Sequence, residues 1–141
     1  MAAVSRYLVD KSALARMTHE HVRQRLAPIL SAGEAATCSM VDLEVLFSAR
    51  NHQDHETIRA RRGLAYEQVP LTQEIFDRAV EIQGALARRG HHRLPIPDLI
   101  VAATAESAGI VVLHYDEHFE RIAAVTNQPT EWVVPRGTES T

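Results

Sequence analysis

Acidic side chains occupy four places in this chain from which their carboxylates could reach one shared pocket. Asp10 ends one apolar run, Asp98 opens a second, Asp116 closes a third, and Glu44 lies on the apolar side of a helical repeat. In an open parallel sheet, strand ends and helix N-termini face a common crevice. Gathering several like charges there is costly without a cation, and carboxylates suit Mg²⁺ or Mn²⁺. These residue types predict a divalent-metal site.

Each acid also has an ordinary structural explanation. Asp10 and Asp116 could cap the helices that follow them, and Asp98 sits in a first helical turn, where the helix dipole favours any acid. Glu44 could be a surface glutamate. No comparable set of nucleophilic side chains competes with the acids, so their conjunction favours a site over four unrelated caps.

Charge and composition narrow the class of protein. The chain has 141 residues, a formal net charge of −3 and a sequence pI of about 6.2, so one ordinary domain without a global positive field is expected. Any contact with nucleic acid must therefore be local. The candidates are Arg59, Arg61 and Arg62, and the basic run 88–93, although favourable cations at helix ends explain either cluster equally well.

The number of cysteines and the lengths of the apolar runs indicate the cellular compartment of the protein. Cys38 is the single cysteine, which excludes an internal disulfide, and its apolar setting predicts a small buried residue. No apolar run approaches membrane-spanning length. A cytoplasmic protein that does not contact membranes is expected.

Strand-like and helical segments alternate along the chain. Strands are predicted at 5–9, 35–38, 66–70, 110–114 and 131–134, and helices at 13–17, between Thr18 and Gly33, at 40–50, at 54–65, from Thr72 to Gly90, after Pro97 to Gly109, and at 117–124. This alternation predicts an α/β fold with three layers, α/β/α, around a central, mainly parallel sheet. The expected organisation is one domain over 1–135 and a flexible tail over 136–141.

Four ordered segments resemble the motifs of PIN-domain ribonucleases. They are DKSA at 10–13, VDLEVLFSA at 41–49, IPDLIVAATA at 96–105 and LHYDEHFERIA at 113–123. Their order and spacing, together with the total length, are similar to those of VapC toxins from prokaryotic toxin–antitoxin pairs. The likeness covers nearly the whole chain.

The resemblance implies a Mg²⁺- or Mn²⁺-dependent endoribonuclease that uses water as its nucleophile. By position, Asp10, Glu44, Asp98 and Asp116 are the catalytic acids, of which Asp10, Asp98 and Asp116 bind the metal, and Ser12 supports the site. The resemblance also implies a VapB-type antitoxin as partner, a homodimer, and a transfer or ribosomal RNA substrate. It does not indicate which residues bind that RNA.

The chain departs from the family pattern at two histidines. His114 stands where many relatives have threonine or serine, and His118 stands where many have a further aspartate. A histidine can accept a metal bond or orient a water, but it brings no negative charge, so His118 is assigned a supporting role. The remaining histidines have no spacing that matches a closed zinc site.

Other classes of protein remain as alternatives. A catalytically inactive PIN domain that only binds RNA or protein is compatible with His118. A phospho-receiver domain expects paired acids after the first strand and a late lysine, whereas Asp10 is alone and Lys11 is the single lysine. A haloacid-dehalogenase-like phosphatase is disfavoured because no Asp-x-Asp pair follows the first strand.

Overall fold

Twelve helices and strands make up the part of the chain, residues 5–137, that a computed structural model describes. In chain order they are β1 (Tyr7–Val9), α1 (Lys11–Leu14), α2 (Glu20–Ser31), β2 (Ala35–Thr37), α3 (Ser39–Leu46), α4 (His52–Ala65), β3 (Glu67–Gln68), α5 (Gln73–Ala87), α6 (Ile96–Ala108), β4 (Val111–His114), α7 (His118–Thr126) and β5 (Thr130–Trp132).

The five strands form one sheet in the order β3-β2-β1-β4-β5. All four pairings are parallel, with Tyr7 of β1 opposite Ala35 of β2 on one side and Val111 of β4 on the other. Parallel neighbours need crossover connections, which the helices between the strands supply. The predicted central sheet is confirmed, and within residues 5–137 it is entirely parallel.

Alternate strand residues pack on opposite faces of the sheet, because successive side chains of a strand point to opposite sides. Leu8 lies in a core with residues of α3, α5, α6 and α7, while Val9 lies in a second core with residues of α1 and α2. Both leucine and valine are fully buried. The predicted three-layer α/β/α arrangement is confirmed.

Helix α6 is the most deeply buried helix of the domain. Every residue from Leu99 to Ala105 is buried, and the helix ends at Gly109, whose φ of 68° is the left-handed conformation that glycine adopts without strain. A helix that is apolar on all sides can offer polar groups only at its ends. Its first turn carries Asp98, which is thereby held at the edge of the core.

Two of the helix starts that the sequence predicts differ in accuracy. The first helix begins at Lys11 rather than at residue 13, because Asp10 is its N-cap. Helix α5 begins after Thr72 as predicted, and the Thr72 hydroxyl accepts a hydrogen bond from the Ile75 amide at 3.3 Å. Cys38 is a free, buried cysteine, as expected.

The C-terminal segment is partly ordered by contacts with the domain. Arg136 donates to Glu117 at 2.6 Å, and the Gly137 amide donates to the Tyr115 hydroxyl at 3.0 Å. Both residues were assigned to the flexible tail, and the rest of that predicted tail, 138–141, lies outside the described residues. Between residues 5 and 137 no helix has the length and apolar character needed to cross a membrane.

Candidate functional site

Asp10 and Ser12 follow the central strand β1 and connect its carboxyl end to that of its neighbour β4. Asp10 follows β1 and is 3% exposed. Its Oδ2 accepts a hydrogen bond from the Ser12 amide at 2.9 Å, while the Ser12 hydroxyl accepts one from the Tyr115 amide beyond β4, also at 2.9 Å. Asp10 Oδ1 is buried and has no hydrogen-bond partner among residues 5–137. One carboxylate oxygen is thus committed to the fold, and the other lacks a donor.

Asp98, Asp116 and His118 meet at the start of α6 and α7. His118 Nδ1 lies 2.9 Å from Asp98 Oδ2 and 3.1 Å from Asp116 Oδ1. Asp116 Oδ1 also accepts the His118 amide at 3.0 Å. One ligand atom from each of the three residues falls within 4.8 Å of the others. The imidazole of His118 therefore lies between the carboxylates of Asp98 and Asp116, which the sequence analysis predicts to share one site.

Glu44 reaches the same region from α3. One carboxylate oxygen, Oε1, is buried without a hydrogen-bond partner in the described part of the chain. The side chain lines a hollow of about 320 Å³ together with Lys11, Met40, Leu43 and Phe47. Glu44 is therefore a carboxylate half-buried among apolar groups, with the single lysine as its nearest source of positive charge.

The electrostatics connect all four acids. Burial raises the pKa of Glu44, and the charge of Asp10 raises it further, while Lys11 lowers it. Burial is also the main cause that raises the pKa of Asp98 to about 7, with a further contribution from Asp10. The pKa of Asp10 is raised by burial, and Asp116 adds to that rise. Each of these carboxyl groups is thus affected by another member of the predicted set.

His114 supports the site from inside the core. It is fully buried, and burial lowers its pKa to about 4. Its Nδ1 accepts a hydrogen bond from the Asp116 amide at 3.1 Å, so the neutral ring holds the backbone of that acid. The ring centroid lies 4.9 Å from that of Phe119 and 5.1 Å from that of Trp132. A packed imidazole thus holds Asp116 at the position where the family resemblance predicts a hydroxyl.

The donor set fits a hard divalent cation. Carboxylate oxygens are the ligands that Mg²⁺ and Mn²⁺ favour. Two such oxygens, one on Asp10 and one on Glu44, are buried without a donor among residues 5–137, and burial raises the pKa of Asp98 to about 7. The tightest group of ligand atoms differs from the predicted metal set, because His118 replaces Asp10 in it. Asp10 directs Oδ2 to the start of α1 instead.

One predicted basic candidate has a structural role. Arg62 is 9% exposed, its Nε donates to Asp42 at 3.0 Å, and its Nη2 donates to the Thr37 hydroxyl at 2.9 Å. Gln68 donates to the other oxygen of Asp42 at 3.2 Å. This network joins α4 to β2, α3 and β3. Sequence reasoning missed it because residues 20 and 25 positions apart become partners only through the tertiary fold.

The sequence matches a known family over most of its length. The model of the PIN domain matches residues 7–125. The chain belongs to the PIN domain family. This PIN domain is 51% identical over 135 residues to Ribonuclease VapC21 of Mycobacterium tuberculosis, covering 95% of the chain and 98% of the relative. It is 41% identical over 133 residues to Ribonuclease VapC51 of the same species, covering 94% and 96%. The chain is a VapC-type PIN domain.

Solved structures share the fold of this PIN domain. DNA-bound VapBC from Salmonella typhimurium contains a chain with a TM-score of 0.72 at 20% identity, covering 92% of this chain and 99% of that one. FitAcB from Neisseria gonorrhoeae contains another with a TM-score of 0.72 at 13% identity, covering 90% and 97%. At these identities the likeness establishes the fold, which agrees with the three layers described above.

Proposed function

We propose that this PIN domain is an endoribonuclease that requires Mg²⁺ or Mn²⁺ and hydrolyses RNA phosphodiester bonds with water. What supports the proposal is the mutual influence of the charges of Asp10, Glu44, Asp98 and Asp116, together with buried oxygens on Asp10 and Glu44 that have no donor among residues 5–137. A site with this excess of negative charge suits a divalent cation and disfavours an anionic phosphate alone. The ribonuclease names of the relatives support the substrate class.

The side chains divide into ligands and supporting groups. Asp10, Asp98 and Asp116 would hold the ion, which when bound lowers the pKa of a water and stabilises charge on the leaving oxygen. Ser12 fixes Asp10 through its amide. His114 fixes the backbone of Asp116. These contacts hold the ligands in place before any ion binds.

Glu44 and His118 suit proton handling and positioning. The pKa of Glu44 is raised and its Oε1 has no donor within residues 5–137, which are the properties of a carboxylate that can take up a proton from water. His118 bonds both Asp98 and Asp116 and so restrains their relative positions. No group among residues 5–137 is placed as a protein nucleophile beside these acids, which favours direct hydrolysis.

A cleavage assay tests the proposal. The purified chain is incubated with structured RNA in Mg²⁺, in Mn²⁺ and in excess chelator, beside Asp98→Asn and the exposed-acid control Asp77→Asn. Cleavage is expected only with metal, in the wild type and in the control. Cleavage that persists in chelator refutes the metal requirement. RNA binding without cleavage under all conditions favours the inactive binding module over the enzyme.

We infer further that the partner is a VapB-type antitoxin. Chains of similar fold occur in VapBC complexes, which supports this pairing. An antitoxin segment that offers an arginine to the acids would neutralise them, since a guanidinium pairs with carboxylates in place of a metal. A homodimer, a transfer or ribosomal RNA substrate and a cytoplasmic location complete the proposal.

Expression in bacteria tests the toxin role. The chain alone is expected to halt growth, and co-expression of the small protein encoded beside it should restore growth. Asp98→Asn is the matched control, because it keeps the fold and removes a proposed ligand. Normal growth at a verified high level of soluble wild-type protein refutes the toxin role without bearing on ribonuclease activity in vitro.

A further inference from the structure

The structure separates the two basic clusters that the sequence could not rank. In the first, Arg62 is buried and bonded to Asp42 and Thr37, so only Arg59 and Arg61 of that cluster are exposed. In the second, Arg88, Arg89 and Arg93 are all exposed. Among residues 5–137 none of these three guanidinium groups has an ion pair or a side-chain hydrogen bond. Only the second cluster offers three uncommitted charges.

The basic segment, defined as residues 88–93, is held in a fixed conformation. It follows α5 and lies between two buried residues, Leu86 and Leu94, that belong to the same core. The His91 amide donates to the Leu86 carbonyl at 2.9 Å across the turn at Gly90, whose φ is 76°. This 6→1 hydrogen bond is typical of a Schellman turn. The arginines therefore project from a short anchored turn.

The basic segment lies at the same end of the fold as the acids. Helices α5 and α6 pack against each other, and the connection from Ala87 to Ile96 is short, so the end of α5 adjoins the start of α6. The first turn of α6 carries Asp98. Arg93 lies five positions before Asp98, which limits the distance between their Cα atoms to about 17 Å. A single strand of RNA can reach from one to the other.

Charge in the basic segment contrasts with that of the whole chain. The formal net charge is −3, yet positions 88–93 contain three arginines, two histidines and no acid. Unpaired cations on an otherwise acidic protein create a local field that attracts phosphates and is screened over about 10 Å in ordinary buffers. Its position beside a cluster of carboxylates allows the substrate to be held where the acids alone would repel it.

We propose that Arg88, Arg89 and Arg93 bind the phosphate backbone of the RNA strand that enters the site at Asp98. This inference rests on the proposed function and adds the surface that holds the substrate. The three arginines are binding residues and take no part in bond cleavage. Each contributes a phosphate contact, so binding should be independent of base sequence and sensitive to salt.

The test compares two triple variants with the same change in charge. Arg88→Gln, Arg89→Gln and Arg93→Gln remove the cluster. Arg6→Gln, Arg23→Gln and Arg25→Gln are the control, because these arginines precede β1 or lie on α2 and pair with Glu34, Glu20 and Glu131, none of which is a proposed site acid. The affinity for a fluorescent mixed-sequence single-stranded RNA is measured in chelator, where no cleavage is expected, across a series of salt concentrations. Cleavage in Mg²⁺ and thermal melting are measured in parallel.

The expected results are specific to the basic segment. The affinity should fall about tenfold and the slope of log K against log salt should decrease by about 2, since each lost contact with a single strand contributes roughly 0.7. The apparent KM should rise while kcat stays close to wild type, and the control should match wild type in all of these. If the variant that lacks Arg88, Arg89 and Arg93 keeps the wild-type affinity and slope, the proposal is wrong. If only its melting temperature is lower, these residues stabilise the end of α5 and do not bind RNA.

The binding test and the nuclease test fail separately. A wild-type chain that binds RNA through the basic segment but does not cleave it in Mg²⁺ supports this inference and refutes the enzyme. A chain that cleaves RNA normally after loss of the three arginines supports the enzyme and refutes this inference.

Discussion

Replacing Asp98 by asparagine tests whether the four acids form one strained site. The side chain keeps its shape and one oxygen, but it loses the charge that burial and Asp10 oppose. If the acids are held together by the fold, the metal-free variant should be more stable than wild type. It should also lose most cleavage activity, since Asp98 is a proposed ligand.

The size of the effect follows from the pKa of Asp98, which is raised from 3.8 to about 7. One pKa unit corresponds to about 1.4 kcal/mol, so ionising this side chain in the metal-free fold costs up to about 4 kcal/mol. Two effects reduce this gain in the variant. The asparagine amide loses the favourable interaction of the carboxylate with His118, and its NH₂ group needs a hydrogen-bond acceptor. We therefore expect a net stabilisation of about 1 to 2 kcal/mol, or about 3 °C in Tm for each kcal/mol in a domain of this size.

The pH dependence has a definite sign. A raised carboxyl pKa means that the folded state holds its proton more tightly than the unfolded state does. Wild-type stability should therefore fall as the pH rises from about 4 to about 7, and the advantage of Asp98→Asn should grow over that window and nearly vanish below it. The control Asp77→Asn, at an exposed position of α5, should follow wild type because it retains Asp98.

Thermal melts in chelator and across a Mg²⁺ titration decide the outcome. Wild type should gain more stability from Mg²⁺ than the variant, because a ligand stabilises the fold according to its affinity. If Asp98→Asn melts lower than wild type at about pH 8 and responds equally to Mg²⁺, then Asp98 is an ordinary helix-start acid and the site described here is wrong.

Three further substitutions test particular contacts of the site and of the core. His118→Asp should raise the pKa of Asp98 further, lower the metal-free Tm and leave cleavage equal or higher, as melts and the ribonuclease assay will show; abolished cleavage with an intact fold would give His118 a positive role. Arg62→Met should cost about 3 kcal/mol in urea unfolding, because it leaves Asp42 partly buried without its cation, and a loss below about 1 kcal/mol contradicts that network. Ser12→Ala should cost about 1 kcal/mol and reduce cleavage, since it removes the acceptor of the Tyr115 amide, and wild-type behaviour in both assays would exclude a supporting role.

The sequence was sufficient to predict the fold and to place two of the acids at the ends of neighbouring strands. Apolar runs that end in Asp10 and Asp116 mark the carboxyl ends of neighbouring parallel strands, and that placement follows from local pattern alone. The cap of α5 was equally readable, because Thr72 and its partner are three residues apart. These features depend on the order of residues along short segments, which the sequence states directly.

Pairings between distant side chains could not be predicted. From the sequence, Arg62 was either a contact for nucleic acid or a cation at a helix end, whereas its burial depends on where α4 crosses β2. The bonds of His118 to Asp98 and Asp116 depend on the relative placement of α6 and α7. Which oxygen of Asp10 lacks a donor within residues 5–137 depends on the side-chain torsion angles of that residue, which the sequence does not specify. Such details are set by packing over distances that no periodicity records.

The single tryptophan of the chain lies directly behind the acids. Trp132 packs against His114 and Tyr115, and its indole nitrogen donates to Glu120. His114 in turn accepts the amide of Asp116. Nearly all of the long-wavelength fluorescence of the molecule therefore comes from an indole that is separated from the backbone of Asp116, a proposed ligand, only by the His114 ring. Any event that shifts Asp116 changes the surroundings of that indole, so the unlabelled protein carries its own optical probe of the site.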